Sequence, residues 1–263
     1  MIRTTAFVLL ALISGSVCGQ YSGISRTTRP GEENRNYFSP LIRSQQSYLD
    51  TLYYKSITIP DELINGKEYI PYYFGSGTNP LLFSNVSRRT TLFFRDVAYK
   101  NINLHYDTYL DEIVYYDNNR KVDGMYPQII LNKDNIRGFN LYFDNDSMVF
   151  RRYSFPAEYS GILKDGYYEV GYEGKSLLLI RHQSKIYNKE GVNKYKYSPT
   201  NYVFINGTWQ KIASRSGFLK MFGEKEKEIS SLVRHSKINV KKATREQISG
   251  ILRYFDSGEK GMK

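Results

Sequence analysis

The sequence predicts a mainly β protein of the α+β class: an antiparallel sandwich, barrel or roll with a small C-terminal helical appendage. Three observations predict this class. The chain has 25 Tyr and 14 Phe but a single Trp, and Tyr and Phe favour pleated, half-buried strands. Between residues 57 and 212, apolar and polar positions alternate at period two between frequent turns. From residue 213 to residue 263, the apolar positions recur at helical spacing instead.

Residues 1–19 are typical of a secretory signal peptide. Arg3 precedes an apolar run that is too short to span a bilayer, and Val17-Cys18-Gly19 resembles the pattern that signal peptidase cuts. The alternative is a lipid anchor on Cys18, the only cysteine of the chain, although Val17 stands where lipoprotein signals place a small residue. We therefore expect an exported protein, in the periplasm or at the cell surface and not in the cytoplasm, that uses no disulfide.

Residues 20–56 are expected to form a mobile N-terminal segment. The chain from Gln20 to Asn36 is polar and has almost no apolar side chain to bury. Between Ser39 and Leu52 the apolar spacing predicts one short helix, which begins at Pro40 because proline is accommodated in a first helical turn.

Two Asn-Gly dipeptides bracket the predicted β body, which runs from residue 57 to residue 212. Asn65-Gly66 and Asn206-Gly207 each stand between apolar runs. A two-residue hairpin turn needs positive φ at both central positions, and Asn and Gly adopt it at low cost. Further turns are predicted at Asp117-Asn118-Asn119, Asp144-Asn145-Asp146 and Lys164-Asp165-Gly166.

Several runs in the body have one apolar face, as antiparallel strands with one buried face require. Three runs carry this pattern: Ile102, Leu104 and Tyr106 alternate with Asn103, His105 and Asp107; Phe139, Leu141 and Phe143 with Asn140 and Tyr142; and Tyr168, Val170 and Tyr172 with Tyr167, Glu169 and Gly171. The continuous apolar run from Leu177 to Ile180 predicts a central strand that is buried on both faces.

Residues 213–263 are expected to form a basic helical tail. Its longest helix is predicted to begin at a capping box of Thr244 and Gln247 and to end at Gly258. An apolar stripe is formed there by Ile248, Ile251, Leu252 and Phe255, preceded by stripes of Ile229, Leu232 and Val233 and of Phe218, Leu219 and Phe222.

The charge of the chain is concentrated in this tail. The formal net charge is +11, and the stretch from Lys211 to Lys263 holds 13 Lys and Arg against 6 Asp and Glu. Such an excess attracts anionic lipid headgroups or acidic glycans, whereas nucleic acid is not an expected partner of an exported protein. The alternative is that these cations only solvate exposed helix faces.

No residue is assigned a catalytic, cofactor-binding or metal-binding role. His105 and Asp107 share a strand face, so an Asp-His pair is geometrically allowed, but a solvated histidine is the commoner arrangement. Asp144-Asn145-Asp146-Ser147 has the oxygen ligands of a cation site but lacks the spacing of a calcium loop. The acidic neighbours Asp111 and Glu112, and Glu169 and Glu173, are expected to be ordinary surface charge.

Adjacent tyrosines are the most unusual feature of the body. They occur at Tyr53-Tyr54, Tyr72-Tyr73, Tyr115-Tyr116 and Tyr167-Tyr168. On a strand, each pair sends one ring to either face, so we expect one ring to pack while its neighbour faces solvent or a partner. Exposed rings of this kind stack on sugars or anchor a protein interface, and a thick aromatic core is the alternative use for them.

Two segments resemble uncharacterised exported proteins of Bacteroidota, in which a Leu-x-Tyr-Asp-x-Tyr-x-Asp segment precedes a strand pair and a basic helical tail closes the chain. The first runs from Asn65 to Tyr73 and the second from Leu104 to Val114. The matching residues are Tyr106, Asp107, Tyr109 and Asp111. The stretch from Lys225 to Phe255 is similar to the tail. The resemblance implies a cell-envelope setting and a β-rich body, and it brings no known activity.

The hypothesis that follows is a non-catalytic cell-envelope protein that binds a macromolecular partner, either a membrane-complex protein or a glycan, through exposed aromatic residues and the basic tail. The basic tail also fits an anionic membrane surface. The alternative is a carbohydrate-active hydrolase that uses paired carboxylates. The sequence does not fix the oligomeric state.

Overall fold

A ten-stranded antiparallel sheet forms the body of the protein in its computed structural model, which describes residues 66–73, 76–83, 88–116, 121, 124, 126–143 and 146–258. These residues belong to one compact unit, Tyr53–Lys263. The predicted signal peptide, the mobile segment with its short helix, Asn65, Tyr53-Tyr54, the turn at Asp117-Asn118-Asn119 and the residues Asp144 and Asn145 lie outside the described residues.

The mainly β class with a C-terminal helical region is confirmed. The strands are β1 (Arg88–Phe94), β2 (Val97–Asp107), β3 (Glu112–Tyr116), β4 (Gln128–Ile130), β5 (Ile136–Tyr142), β6 (Ser147–Tyr153), β7 (Gly166–Glu173), β8 (Leu177–Arg181), β9 (Ser184–Lys189), β10 (Val192–Tyr197), β11 (Thr200–Ile205) and β12 (Thr208–Lys211). The helices are α1 (Arg215–Lys220), α2 (Glu226–His235) and α3 (Arg245–Ser257). Short 3-10 turns lie at Lys133–Asn135, Ala157–Tyr159, Gly223–Lys225 and Val240–Lys242.

The strand order of the large sheet is β12-β11-β8-β7-β6-β5-β1-β2-β3-β4, and β9 and β10 form a separate hairpin. The sheet is open, with β12 and β4 as its two ends in the described part of the chain. Most neighbouring strands are consecutive in the sequence, because short turns join antiparallel strands directly.

One face of the sheet carries the main aromatic core. The period-two pattern in β2 is confirmed there, because Ile102, Leu104 and Tyr106 are all buried in this cluster. Phe139 of β5 and Phe150 of β6 stack at its centre, with ring centroids 4.5 Å apart. Cross-strand aromatic pairs of this kind add to the stability that burial alone provides.

The helices pack on the same face of the sheet, beyond β7. Phe150 pairs with Glu169, and Glu169 pairs with Ile180, so these side chains share a face. Ile180 and its neighbours on β8 and β11 form a second core cluster with the helices, whose buried helical members include Phe218, Ile229, Val233, Ile248, Ile251 and Leu252. The helical tail is therefore joined to the sheet by a continuous apolar core.

The predicted helix signals are confirmed in α3. Thr244 and Gln247 form a complete capping box, and Gly258 ends the helix in the left-handed conformation. The capping box satisfies two backbone N–H groups that the first turn leaves without partners, which fixes where α3 begins over the sheet.

Two tyrosine patterns differ from the prediction. Tyr167 and Tyr168 do point to opposite faces, but both are fully buried, because Tyr167 joins the main aromatic core and Tyr168 a separate cluster on the other face. The expectation that one ring of the pair faces solvent is wrong here. Tyr172 does not share a cluster with Tyr168, because a bulge between Val170 and Tyr172 shifts the register and turns Tyr172 to the helices.

The Asn206-Gly207 turn is confirmed as the hairpin between β11 and β12. Both residues have positive φ, 51° at Asn206 and 77° at Gly207, as a two-residue turn that suits the strand twist requires. The corresponding prediction at Asn65-Gly66 lies partly outside the described residues. Gly66 itself is not in a strand, although Glu68 forms an isolated bridge with Ile129.

Alanine at two glycines should have opposite effects on the free energy of unfolding. A Cβ added at Gly207 or Gly250 would meet no described atom within 4 Å other than those of the adjoining residues and of the helix backbone, so the backbone conformation determines the effect of the substitution. We expect Gly207→Ala to destabilise by about 1 to 2 kcal/mol because of its positive φ, and Gly250→Ala, within α3, to stabilise by about 0.5 to 1 kcal/mol. Urea unfolding of both variants measures this, and equal effects would contradict it.

Candidate binding cleft

The Asp-His pair that the sequence allows, but does not favour, is not formed. His105 and Asp107 share a face of β2, but the Asp107 carboxylate accepts hydrogen bonds from the hydroxyls of Tyr69 and Tyr72, at 2.9 and 2.5 Å, and from two backbone amides. His105 is buried rather than solvated and lies against the ring of Tyr116, 4.9 Å between centroids. Burial lowers the pKa of His105 and keeps its imidazole neutral. Both residues therefore have structural contacts.

The carboxylates of Asp111 and Glu112 are likewise bonded to neighbouring side chains. The Tyr106 hydroxyl donates to Asp111 at 2.6 Å, and Lys133 pairs with Glu112 at 3.1 Å. The pKa of Asp111 is raised by burial, which the hydrogen bond from Tyr106 partly opposes. Glu169 is not surface charge, because only 2% of its surface is exposed. The sequence-based expectation for Glu169 is wrong, and its burial leads to the candidate site.

A cleft of about 520 Å³ lies where the sheet meets the segment that leads into α3. We call it the junction cleft. Its aromatic and apolar lining includes Phe83, Phe143, Met148, Ile180, Tyr197 and Pro199, and its polar lining includes Asp146, Glu169, His182, Asn201, Lys241, Lys242, Arg245 and Glu246. A volume of this size accommodates a small ligand or one to two sugar units of a longer one.

A chain of hydrogen bonds forms the base of the junction cleft. His182 places Nε2 2.7 Å from the Glu169 carboxylate and Nδ1 2.5 Å from the Tyr197 hydroxyl. A carboxylate oxygen accepts hydrogen bonds, so the tautomer that satisfies both contacts has Nε2–H donating to Glu169 and Nδ1 accepting from the Tyr197 hydroxyl. The three residues come from β7, from the residue after β8 and from the end of β10. Their hydrogen bonds therefore tie the β9–β10 hairpin to the large sheet.

The hydrogen-bonded series Glu169–His182–Tyr197 resembles a nucleophilic triad, in which a carboxylate orients a histidine base. A phenol stands here in place of the nucleophile. The phenol is poorly suited to that role, because burial and then the Glu169 carboxylate raise the pKa of Tyr197 above its ordinary value. The second oxygen of Glu169 also binds Arg245. The arrangement therefore favours a fixed, protonated Tyr197 whose ring is held at the cleft.

Arg245, the first residue of α3, joins the helices to this network. Its guanidinium donates to Glu169 at 2.9 Å, to Asp146 at 2.5 Å and to Glu246 at 2.8 Å. It also donates to the carbonyl of Ser147 at 3.0 Å. The three carboxylates that line the junction cleft among the described residues are thus bonded to one guanidinium, whose planar fork suits several acceptors at once.

The acidic turn predicted as a hairpin does close β5 and β6, because the amide of Phe143 donates to the carbonyl of Asp146 at 2.8 Å. Asp146 then turns its side chain to Arg245. Within the described residues no group of three or more His, Cys, Asp or Glu side chains is arranged to hold a metal ion.

Aromatic and basic side chains meet at the opening of the junction cleft. Tyr197 is 47% exposed and Phe83 is 41% exposed, although the hydroxyl of Tyr197 is bonded to His182. Lys241 and Lys242 are exposed beside them. In the described part of the chain, none of the adjacent tyrosines singled out in the sequence lines the junction cleft. Its exposed rings are Tyr197 and Phe83, and its exposed lysines come from the basic tail.

Sequence reasoning missed the importance of His182, although a signal was present. Leu178, Ile180 and His182 are two residues apart, so His182 continues the face of β8 that packs against the helices. No comparable signal exists for Arg245, because its partner Glu169 is far away in the sequence and only the packing of α3 brings them together.

Comparison with known proteins gives no match to this chain among protein-family models, curated proteins or solved structures. In the part of the chain that the structure describes, none of the helices has both the length and the apolar character that a membrane span requires.

Proposed function

We propose that this protein is an exported, non-catalytic cell-envelope protein that binds an acidic glycan in the junction cleft. The observation that supports this is that exposed aromatic rings and exposed lysines line one cleft. Tyr197 and Phe83 share that lining with Lys241 and Lys242, while the carboxylates of the cleft are bonded to Arg245. Export and the envelope setting rest on the N-terminal sequence and on the resemblance described above.

The two kinds of side chain suit two parts of an acidic sugar. Aromatic rings present a flat apolar face, on which the C–H face of a pyranose packs. Lysine ammonium groups pair with a carboxylate of the sugar by charge-assisted hydrogen bonds, and the Asn201 amide lines the same cleft and offers both a donor and an acceptor to hydroxyls. The hydrogen bond to His182 holds Tyr197 in place before the ligand arrives, which lowers the entropic cost of binding.

The alternative, a glycoside hydrolase, needs one protonated carboxyl group and a second carboxylate across the scissile bond. The cleft carboxylates in the described part of the chain are Asp146, Glu169 and Glu246, and each is bonded to Arg245. The pKa of Glu246 is lowered, chiefly by a hydrogen bond from its own backbone amide, which opposes a general-acid role. These contacts favour binding over hydrolysis.

Titration calorimetry with oligosaccharides of galacturonic acid, and with matched neutral oligosaccharides of galactose, tests the proposal. We expect the acidic series to bind more tightly. Lys242→Glu and Tyr197→Ala should each weaken binding by roughly tenfold or more. Tyr197→Phe should keep most of the affinity, because it retains the ring.

The control variants are Lys189→Glu and Tyr187→Ala, two exposed residues of β9 in the same hairpin as Tyr197. Neither lines the junction cleft, and neither change should alter affinity. Equal binding of the acidic and neutral series, or equal losses in cleft and control variants, would overturn the proposal. Release of shorter sugars during incubation would favour the hydrolase instead.

A further inference from the structure

A second basic surface lies on the helical segment. Arg215 from α1, Arg234 from α2, and Lys237 and Lys241 from the loop between α2 and α3 surround a groove of about 400 Å³. We call it the basic groove. Apart from Lys241, which lines both, its residues differ from those of the junction cleft.

No carboxylate among the described residues compensates the charge in the basic groove. None of the described lining residues is Asp or Glu, and the sequence from residue 229 to residue 245 contains neither. None of the four cations forms an ion pair within the described parts of the chain. All four side chains are exposed, so their positive potential extends into solvent and attracts anions.

The groove has an apolar floor that the second core cluster supports. Val233 and Val240 are buried in that cluster, and Ile238 packs against it. The loop is also fixed by hydrogen bonds, because the Asn239 side chain accepts from the amide of Lys241. The backbone that carries the four cations is therefore held in place by packing and hydrogen bonds, which lowers the entropic cost of ordering these side chains around an anion.

Lys237 occupies a backbone position that glycine would fill at lower energy. It follows the end of α2 with φ of 50°. The amides of Lys237 and Ile238 donate to the carbonyls of Arg234 and Val233, which is the hydrogen-bond pattern of a Schellman cap. A residue with a Cβ is strained in this conformation. The strain is accepted at a position where the side chain adds a cation to the basic groove.

We propose that the basic groove binds the phosphate groups of anionic phospholipids at a membrane surface. A site built for one free phosphate would enclose it with buried donors, whereas these four cations stand exposed around an open groove. That arrangement matches a surface that presents many phosphates, where each basic side chain strengthens binding by roughly fivefold. The proposal is separate from glycan binding, and either can fail alone.

Flotation of the full chain with vesicles tests the proposal. The vesicles contain phosphatidylcholine alone, or phosphatidylcholine with phosphatidylglycerol. We expect binding only to the second kind, with loss of binding as salt rises, because screening weakens exposed charge interactions. Binding that ignores salt, or binding to both kinds of vesicle alike, would overturn the proposal.

One substitution separates binding from folding. Lys237→Gly removes a cation and relieves the positive φ, so we expect a higher melting temperature together with roughly fivefold weaker vesicle binding. Arg215→Gln with Arg234→Gln should weaken binding by roughly 25-fold, whereas Lys189→Gln on β9 should change nothing. Unchanged vesicle binding by the groove variants would contradict the assignment.

Inorganic phosphate distinguishes a membrane surface from a free anion. Added at the same ionic strength as sodium chloride, it should release the protein from vesicles no better than chloride does. Selective release by phosphate would overturn the membrane assignment in favour of a site for the soluble ion.

Discussion

Glu169→Gln is expected to lower the free energy of unfolding by about 2 to 3 kcal/mol, because a buried charged acceptor is lost while Arg245 keeps its other two carboxylates. The two oxygens of Glu169 accept from His182 and from Arg245. Glutamine keeps the shape but removes the negative charge that faces Arg245, and its NH2 group can be accommodated only if His182 changes tautomer. Urea unfolding measures the change, since the loss is a large part of the stability of an ordinary domain.

The matched control for this change is Glu173→Gln on the same strand. Glu173 is exposed at the end of β7, so we expect a change within about 0.5 kcal/mol. If both variants unfolded at the same urea concentration as the unaltered protein, the network of Glu169, His182 and Arg245 would not hold the helices to the sheet.

Asp107→Ala is expected to destabilise by about 3 kcal/mol, because it leaves buried donors without an acceptor. Asp107 has no exposed surface and accepts from two tyrosine hydroxyls and from the amides of Tyr109 and Leu110. These bonds tie the segment before β1 to the end of β2. The two amides lie next to exposed side chains and recover some of the loss from water.

Two comparisons test the reason for that loss. Tyr72→Phe removes only one of the four donors, so we expect a cost of about 1 kcal/mol. Asp96→Ala removes a carboxylate that is exposed and forms only a surface pair with Arg137, so we expect almost no change. Denaturant midpoints that rank these variants in any other order would contradict the role given to Asp107.

Much of the fold follows from local sequence signals. The alternation in β2, the continuous apolar run of β8, the Asn206-Gly207 turn and the capping box of α3 each act within a few residues. Each has a physical cause that does not depend on distant parts of the chain. They predict the kind of element and where several of them begin or end.

The contacts that form the junction cleft depend instead on distant parts of the chain. Glu169 and Arg245 pair only because α3 packs across β7. No local pattern in the sequence predicts that packing. The burial of both Tyr167 and Tyr168 has the same origin, since it requires both faces of the sheet to be covered at β7. The bulge that turns Tyr172 toward the helices was also invisible in the period-two pattern.

The junction cleft and the basic groove share Lys241, so they lie next to each other on the protein surface. A protein held at a membrane by the basic groove would present the junction cleft close to the same surface. The groove variants at Lys237 and Arg234 should therefore leave the affinity for galacturonic acid oligosaccharides unchanged in solution, and Tyr197→Ala should leave vesicle binding unchanged.

Amide hydrogen exchange with and without galacturonic acid oligosaccharides tests most directly whether the junction cleft is a glycan site. We expect the ligand to slow exchange at residues 197–201 and 240–246, which border the cleft, and to leave β1 to β4 unaffected. Slower exchange confined to other parts of the chain, or no change at saturating ligand, would contradict glycan binding at the junction cleft.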